Sequence, residues 1–347
     1  MSWSTFRQTM AAAGVAALTL GASAAAVAQD TLPIKFTLDW KFEGPSAGFL
    51  IAKEKGYFAE EGLDVSIDSG NGSSGAVTRV ASGAYDIAMA DVNSMIEFNA
   101  SNPEQAMKAM FIVYNAPPFA LFTLKESGID SVEKMEGKTF GAPVFDSPRK
   151  LFPAFAQATG IDGDSVEWTS MDPALREPML IRGDVDGISG FYFTSLLNLR
   201  GLGVEKDDLN IWQYRDAGLD LYGNGLIASP ALMADNPEAL TGFLRAVVKG
   251  WRDVIADPEA GIDAVKARDP LIDEALEMDR LMMAIENNVL TEEVKAQGMG
   301  GIDDARMQKA IDQVTYAFGI EDKPAVSDVF TSDFLPPQDE RMLTATQ

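Results

Sequence analysis

The strongest constraint on the fold is an order of short apolar strands and amphipathic helices that occurs twice along the chain. The first run begins with a strand at 34–38 and the second with a strand at 139–142, and five consecutive elements match at a spacing of about 100 residues. In both runs a Gly ends a helix and an Asp precedes the next strand, at Gly83–Asp86 and Gly183–Asp186. Alternating strands and helices are typical of α/β folds with mostly parallel sheets. The sequence therefore predicts two similarly built lobes, each a mostly parallel sheet flanked by helices.

Two extended segments connect the predicted lobes. One segment, 110–124, leads out of the first run, and the other, 219–228, leads back to a C-terminal set of helices. We therefore expect a discontinuous lobe 1 formed by 29–115 and 225–347, and a lobe 2 formed by 116–224. Two lobes joined by two crossovers are typical of a hinge with a ligand cleft between the lobes.

The first 28 residues have the pattern of a secretory signal peptide. Arg7 is their only charged residue, an apolar run follows at Met10–Leu20, and Ala26 to Ala28 form an A-x-A cleavage site. A membrane anchor is the alternative, but the apolar run is shorter than the roughly 20 residues that span a bilayer. Because the chain contains no Cys, it cannot carry a lipid-modified cysteine. We expect a periplasmic protein without a lipid anchor.

Composition excludes several classes of function. The 347 residues include 28 Lys and Arg against 52 Asp and Glu, for a formal net charge of −24, which argues against nucleic-acid binding. The absence of His and Cys excludes disulfides, thiolate metal sites, His-ligated zinc and His-dependent catalysis. The sequence predicts no cofactor, no metal and no catalytic residue.

The candidate ligand-binding residues follow from one rule of α/β folds. Ligands of open sheets bind beyond the carboxyl ends of the strands, and aromatic or hydrogen-bonding residues follow most of the predicted strands and lie in the crossovers. The candidates are Asp39, Trp40, Asn71, Gly72, Ser73, Asp91, Tyr114, Asp146, Arg149, Tyr192, Tyr222 and Asn224. Such residues favour a small, flat, polar ligand.

Each candidate also has a purely structural interpretation. The glycine-rich loop at 70–75 can present backbone N–H groups to an anion, or it can be an ordinary helix start that Ser73 caps. Trp40 and Tyr192 can line the cleft or belong to the core. Arg149 can pair with an anionic ligand or with one of the many surface acids.

Three motifs resemble one known family. Asp39-Trp40, the segment Ala52–Val65 (AKEKGYFAEEGLDV) and Gly70–Ser73 resemble the periplasmic solute-binding proteins of ABC importers. The subfamily is the one that binds nitrate, alkanesulfonates, taurine and thiamine-pyrimidine precursors. The resemblance implies the two-lobed periplasmic binding protein fold, which closes on a small-molecule ligand and delivers it to an ABC importer membrane permease. We expect a monomer that is not an enzyme.

The resemblance leaves the ligand open. A planar heterocycle would lie between Trp40 and Tyr192 or Phe191, with Asn or Asp bonding its edge. A carboxylate or sulfonate would instead require Arg149 and the 70–74 amides. The same superfamily includes the thiamine-pyrimidine synthase, which is thought to consume its own histidine and to use iron held by a Cys-rich stretch. This chain has neither residue type, which disfavours such an enzyme. An enzyme of this type and a ligand-sensing receptor component are the two alternatives to a transport protein.

Overall fold

Residues 31–343 are described by a computed structural model. The predicted signal peptide lies outside this range. The ten strands are β1 (Leu32–Thr37), β2 (Leu63–Asp68), β3 (Ile87–Asp91), β4 (Lys108–Ile112), β5 (Phe119–Leu124), β6 (Thr139–Ala142), β7 (Glu167–Ser170), β8 (Gly187–Phe191), β9 (Leu209–Gln213) and β10 (Asn224–Ala228).

The strands form two five-stranded sheets with the same arrangement. The first sheet has the order β2-β1-β3-β10-β4, and the second has the order β7-β6-β8-β5-β9. Four strands of each sheet run in one direction, and the fifth, β10 or β5, runs opposite to both of its neighbours. This confirms the predicted α/β class and the internal repeat. In each sheet the antiparallel strand is the one that directly follows a crossover between the sheets.

Helices cover both sheets. They are α1 (Ala47–Glu54), α2 (Tyr57–Glu60), α3 (Ser73–Ala81), α4 (Val92–Ser101), α5 (Ser147–Lys150), α6 (Phe152–Thr159), α7 (Arg176–Arg182), α8 (Tyr192–Gly201), α9 (Pro230–Asp235), α10 (Pro237–Ala256), α11 (Pro258–Arg268), α12 (Glu274–Ala284), α13 (Glu292–Gln297), α14 (Asp304–Phe318) and α15 (Val326–Val329). A short break separates α1 from α2. Gly56, at φ +77°, takes the left-handed conformation that glycine tolerates best.

The longest helix, α10, packs directly on α1 against the first sheet. A Cβ atom at Gly250 would lie 2.0 Å from the carbonyl oxygen of Gly48, and one at Gly48 would lie 2.6 Å from the Trp251 ring. The two glycines therefore allow the helix backbones to touch. Trp251 and Phe243 are fully buried in this core, where large apolar side chains contribute most to stability.

A second hydrophobic cluster joins the two sheets. Met307, Ile311 and Val314 of α14 belong to one buried cluster with Ile112 of β4 and Phe119 of β5. The sheets are thus held together by packed side chains from α14 in addition to the crossovers.

We propose that the lobes divide as the sequence predicts, into 29–115 with 225–347 and 116–224. All five strands of the second sheet lie within the latter segment, whereas β10 returns to the first sheet.

Within residues 31–343, no helix combines the length and the apolar character needed to cross a membrane.

Candidate ligand-binding cavity

A cavity of about 750 Å³, open to solvent, lies between the carboxyl ends of the two sheets. Leu38 and Asp39 follow β1, Gly72 follows β2, Pro143 follows β6, and Phe191 ends β8; all five line the cavity. The location is the one that the topology of open α/β sheets favours for a ligand.

Aromatic side chains form much of the cavity wall. Trp40 and Tyr114 come from the segments after β1 and β4, and Phe145, Phe191 and Phe193 come from the second sheet side. Tyr114 packs edge-on against Phe193, with ring centroids 6.0 Å apart, so the aromatic wall is continuous across the two halves. The buried indole Nε1 of Trp40 makes no hydrogen bond of standard geometry within residues 31–343, but the Glu43 carboxylate is close enough for the indole N–H to lower the pKa of Glu43. Flat apolar walls suit a planar ligand.

Asp39 is the most unusual titratable group of the cavity. Its Oδ2 accepts a hydrogen bond of 2.6 Å from Asn224 Nδ2 and a longer one of 3.5 Å from Ser73 Oγ. Burial raises the pKa of Asp39 to about 7, and the nearby Asp91 carboxylate adds to the rise. A carboxyl group with this pKa can accept or donate a hydrogen bond near neutral pH.

Asp146 lies on the opposite side of the cavity and caps α5. It accepts hydrogen bonds from Ser189 Oγ at 2.6 Å and from the Arg149 backbone N–H at 3.2 Å. Burial raises its pKa, although the Arg176 guanidinium, 3.6 Å away, opposes the rise. Arg176 is itself buried and pairs with Glu177 at 2.8 Å. Its positive charge is therefore already matched by two carboxylates.

Glu43 is the third acid of the cavity lining. Its Oε2 lies 3.2 Å from Nη1 of the buried Arg280. Burial raises the pKa of Glu43, the Arg280 charge opposes the rise, and the Glu277 carboxylate contributes to it. The cavity thus combines three acids with few basic groups, which disfavours an anionic ligand.

Six of the twelve candidate residues line the cavity. These six are Asp39, Trp40, Gly72, Ser73, Tyr114 and Asp146. Two further candidates lie directly behind the lining: Asn224 donates to Asp39, and the buried Asp91 donates its backbone N–H to Ser73 Oγ at 3.0 Å. Ligand contact by any of these residues stays a prediction.

The structure places the other four candidates outside the cavity lining. Arg149 is turned away because its guanidinium donates to Ala142 O at 2.9 Å and Ser170 Oγ at 3.0 Å, and it stacks on the Trp168 ring. The Tyr222 hydroxyl donates to Glu293. The remaining two are Asn71, which is exposed, and Tyr192, whose ring lies near Lys206.

Several cavity residues were missed by reasoning from strand ends. Glu43 and Lys41 lie farther along the loop after β1, and Phe193 and Thr194 lie in the first turn of α8. Arg176 begins α7 and reaches the cavity from the start of that helix. The only sequence signal that Arg176 is buried at the cavity is the adjacent Glu177, because an Arg that is paired with an acid can be buried.

The described residues contain no group of three or more Asp or Glu arranged to hold a metal ion.

Comparisons with known proteins agree with this arrangement. Residues 44–261, more than half of the chain, match the family model described as NMT1/THI5 like. A riboflavin-binding protein of Chloroflexus aurantiacus is 27% identical over 301 residues, covering 84% of this chain and 82% of that protein. A formylaminopyrimidine-binding protein of Halalkalibacterium halodurans is 26% identical over 250 residues, covering 70% of this chain and 74% of that protein.

The family also contains proteins named as enzymes. A 4-amino-5-hydroxymethyl-2-methylpyrimidine phosphate synthase of Aspergillus parasiticus is 26% identical over 250 residues, covering 69% of this chain and 71% of the enzyme. Among solved structures, the alkanesulfonate-binding protein SsuA of Xanthomonas axonopodis pv. citri has a TM-score of 0.65 at 14% identity. The alignment covers 87% of this chain and 98% of SsuA, which confirms the periplasmic binding protein fold. The extent of the family match assigns this chain to the NMT1/THI5-like family.

Proposed function

We propose that the chain is the extracytoplasmic solute-binding component of an ABC importer. It captures a small planar organic molecule in the cavity between its lobes and delivers it, as a monomer, to a membrane permease. The observation that carries this proposal is the cavity itself, in which aromatic rings from both halves enclose the buried carboxyl groups of Asp39 and Asp146. Such a combination binds a flat ring through its faces and its N–H edges.

The charges of the cavity favour a neutral or cationic heterocycle over a carboxylate or sulfonate. Arg149, the residue expected to pair with an anion, donates to Ala142 and Ser170 instead. Arg176 lines the cavity but is paired with Glu177 and Asp146. An anionic group would therefore approach three acids without an unpaired buried cation. Relatives named for riboflavin and formylaminopyrimidine, both of which contain heterocyclic rings, support the same ligand class.

Binding without chemical turnover is part of the proposal. Relatives named as synthases exist, but this chain has no His or Cys to supply the chemistry that the resemblance attributes to such an enzyme. The buried carboxyl groups of the cavity are suited to hydrogen bonding with a ligand.

The test is to identify what the protein carries. Native mass spectrometry of the gently purified protein should detect a bound planar heterocycle, and calorimetric titration of the identified compound should give saturable 1:1 binding. Products that appear on prolonged incubation would contradict a purely binding role. Preferential binding of alkanesulfonates or nitrate over heterocycles would contradict the proposed ligand class.

A further inference from the structure

The Arg306 guanidinium contacts both crossovers at once. Its Nη2 donates to Asn115 O at 2.6 Å in the first crossover and to Leu221 O at 2.7 Å in the second. Its Nη1 donates to Asn115 Oδ1 at 3.1 Å. The guanidinium carbon also lies 4.0 Å from the centroid of the Tyr222 ring. One side chain of α14 thus holds two segments that are about 100 residues apart in the sequence.

Acidic partners keep the guanidinium in this position. Glu293 Oε2 lies 2.8 Å from Nη1, and Asp220 Oδ1 lies 2.9 Å from Nε. The hydroxyl of Tyr222 donates to Glu293 at 2.9 Å and accepts the backbone N–H of Asp303 at 2.7 Å. A planar guanidinium can satisfy several carbonyl and carboxylate acceptors in one fixed geometry.

The same segments carry cavity residues. The two crossovers bond to each other through Gly223 N–H and Tyr114 O at 2.9 Å. Tyr114 lines the cavity, and Asn224 donates to the cavity residue Asp39. A shift of either crossover relative to α14 would therefore move groups that face the ligand.

Beyond this point the first crossover is attached to the second sheet. Asn288 Nδ2 donates a hydrogen bond to Ala116 O at 2.8 Å. Two residues later, Pro118 O accepts a hydrogen bond of 2.6 Å from the backbone N–H of Tyr192, the first residue of α8. Only a short segment of the first crossover, between the hydrogen bonds at Ala116 and Pro118, is therefore free to bend.

We infer that Arg306 is a positioning residue for ligand capture, which fixes both crossovers to α14 and thereby sets how far the two lobes can separate. This inference rests on the proposed function, in which the lobes close on a ligand. Arg306 itself does not line the cavity, so its effect on binding is indirect. Removing it is expected to widen the range of lobe positions in the ligand-free protein.

Pulsed electron paramagnetic resonance tests the inference without a ligand. Because the chain contains no Cys, Asp64→Cys and Leu202→Cys can carry one nitroxide each. Both positions are exposed; Asp64 lies in β2 of the first sheet, and Leu202 directly follows α8, between β8 and β9 of the second sheet. The distance between labels is compared in the parent, in Arg306→Met and in Lys309→Met. Lys309 is the matched control because it lies on α14 and its Nζ is 3.7 Å from the same Asp220.

We expect a single narrow distribution in the parent and in Lys309→Met, and a distribution at least twice as wide, or shifted to longer distances, in Arg306→Met. An Arg306→Met distribution that superimposes on the parent overturns the inference, as does an equal change in Lys309→Met. If Arg306→Met does not fold, as judged by circular dichroism, Arg306→Lys replaces it and the same criteria apply. Failure to find a heterocyclic ligand would overturn the proposed ligand class and leave this distance measurement unaffected.

Discussion

Trp40 is one of the aromatic residues that line the cavity. If it stacks on the ligand, Trp40→Ala should weaken binding by about 1–3 kcal/mol, because a buried aromatic anchor loses both contact area and water exclusion. Calorimetric titration with the ligand identified by mass spectrometry measures this loss. Ligand binding should also change the tryptophan emission of the parent.

Trp212→Phe is the control for this prediction. Trp212 lies in β9, at the outer edge of the second sheet, and is absent from the cavity lining. Its replacement should leave the affinity within error of the parent value. If Trp40→Ala keeps the parent affinity but lowers the Tm, Trp40 is a core residue and the aromatic site lies elsewhere.

Asp39 should make the stability of the ligand-free protein depend on pH. Its pKa rises from 3.8 to about 7 on folding because the carboxyl group is buried, so the folded state favours the protonated form. The contribution of Asp39 to the free energy of unfolding is largest below pH 3.8, falls as the pH rises towards 7, and is constant above pH 7. Asp39→Asn cannot ionise and should lose this dependence.

We therefore expect Asp39→Asn to match the parent near pH 4 and to exceed its stability at pH 8 by on the order of 2–4 kcal/mol. Urea unfolding from pH 4 to 8.5 measures the difference. Taking the difference removes the contributions that Asp146 and Glu43 make to both proteins, whereas the repulsion between Asp39 and Asp91 is part of the difference. Parallel stability curves for the two proteins would show that Asp39 ionises normally in the fold.

At the scale of elements, the contact between Gly72 and Phe145 determines how the start of α3 meets the loop after β6. Gly72 has φ +99°, and a Cβ atom there would lie 2.5 Å from the Phe145 ring. Gly72→Ala should destabilise the protein by about 1–3 kcal/mol from backbone strain, with a further cost from the collision with Phe145. Chemical denaturation gives the total.

Two further variants separate these contributions. Adding Phe145→Ala to Gly72→Ala should remove the collision and leave the backbone strain. Gly75→Ala is the matched control, since a Cβ there meets no atom within 4 Å; inside a helix it should stabilise by about 0.5–1 kcal/mol. Parent-like stability of Gly72→Ala would mean that this loop can move away from Phe145.

The elements that the sequence predicted well are those whose signals are local. The strand predicted at 139–142 has the same bounds as β6, and the strand predicted at 34–38 overlaps β1. The edge strand β9 has a weaker local signal, because four of its five residues are only half-buried. The five-residue π-helical turn at Ile285–Val289 extends α12 in a way that apolar spacing does not reveal.

The cavity was less predictable than the fold for a physical reason. Strand ends locate Asp39 and Asp146 because the backbone places them, whereas the direction of a long side chain depends on its partners. Arg149 and Arg176 both lie near the start of a helix that packs on the second sheet. Carbonyl and hydroxyl acceptors direct the Arg149 side chain away from the cavity, whereas two carboxylates hold the Arg176 side chain at the cavity. Except for Glu177, which follows Arg176 directly in the sequence, those partners come from other strands and loops, so the local sequence shows only one of them.

At the scale of the whole molecule, ligand binding should make the particle more compact. A compact chain of this length has a radius of gyration of about 20 Å. Small-angle X-ray scattering should give a value near this for the protein with its identified ligand and a larger value without it, because the lobes are joined by two crossovers. Identical scattering in both states would exclude closure of the lobes. A titration with an unrelated sugar is the control.

The late position of β10 in the chain favours an order of assembly. Strand β4 has β10 as its only neighbour in the first sheet, so a chain synthesised only as far as residue 223 leaves β4 unpaired and β3 with an open edge. The second sheet needs no residue beyond Gln213 and can complete first. An incomplete first sheet is an unprotected edge of the kind that recruits other chains. The nascent protein is therefore most prone to aggregate in the interval before β10 is inserted between β3 and β4.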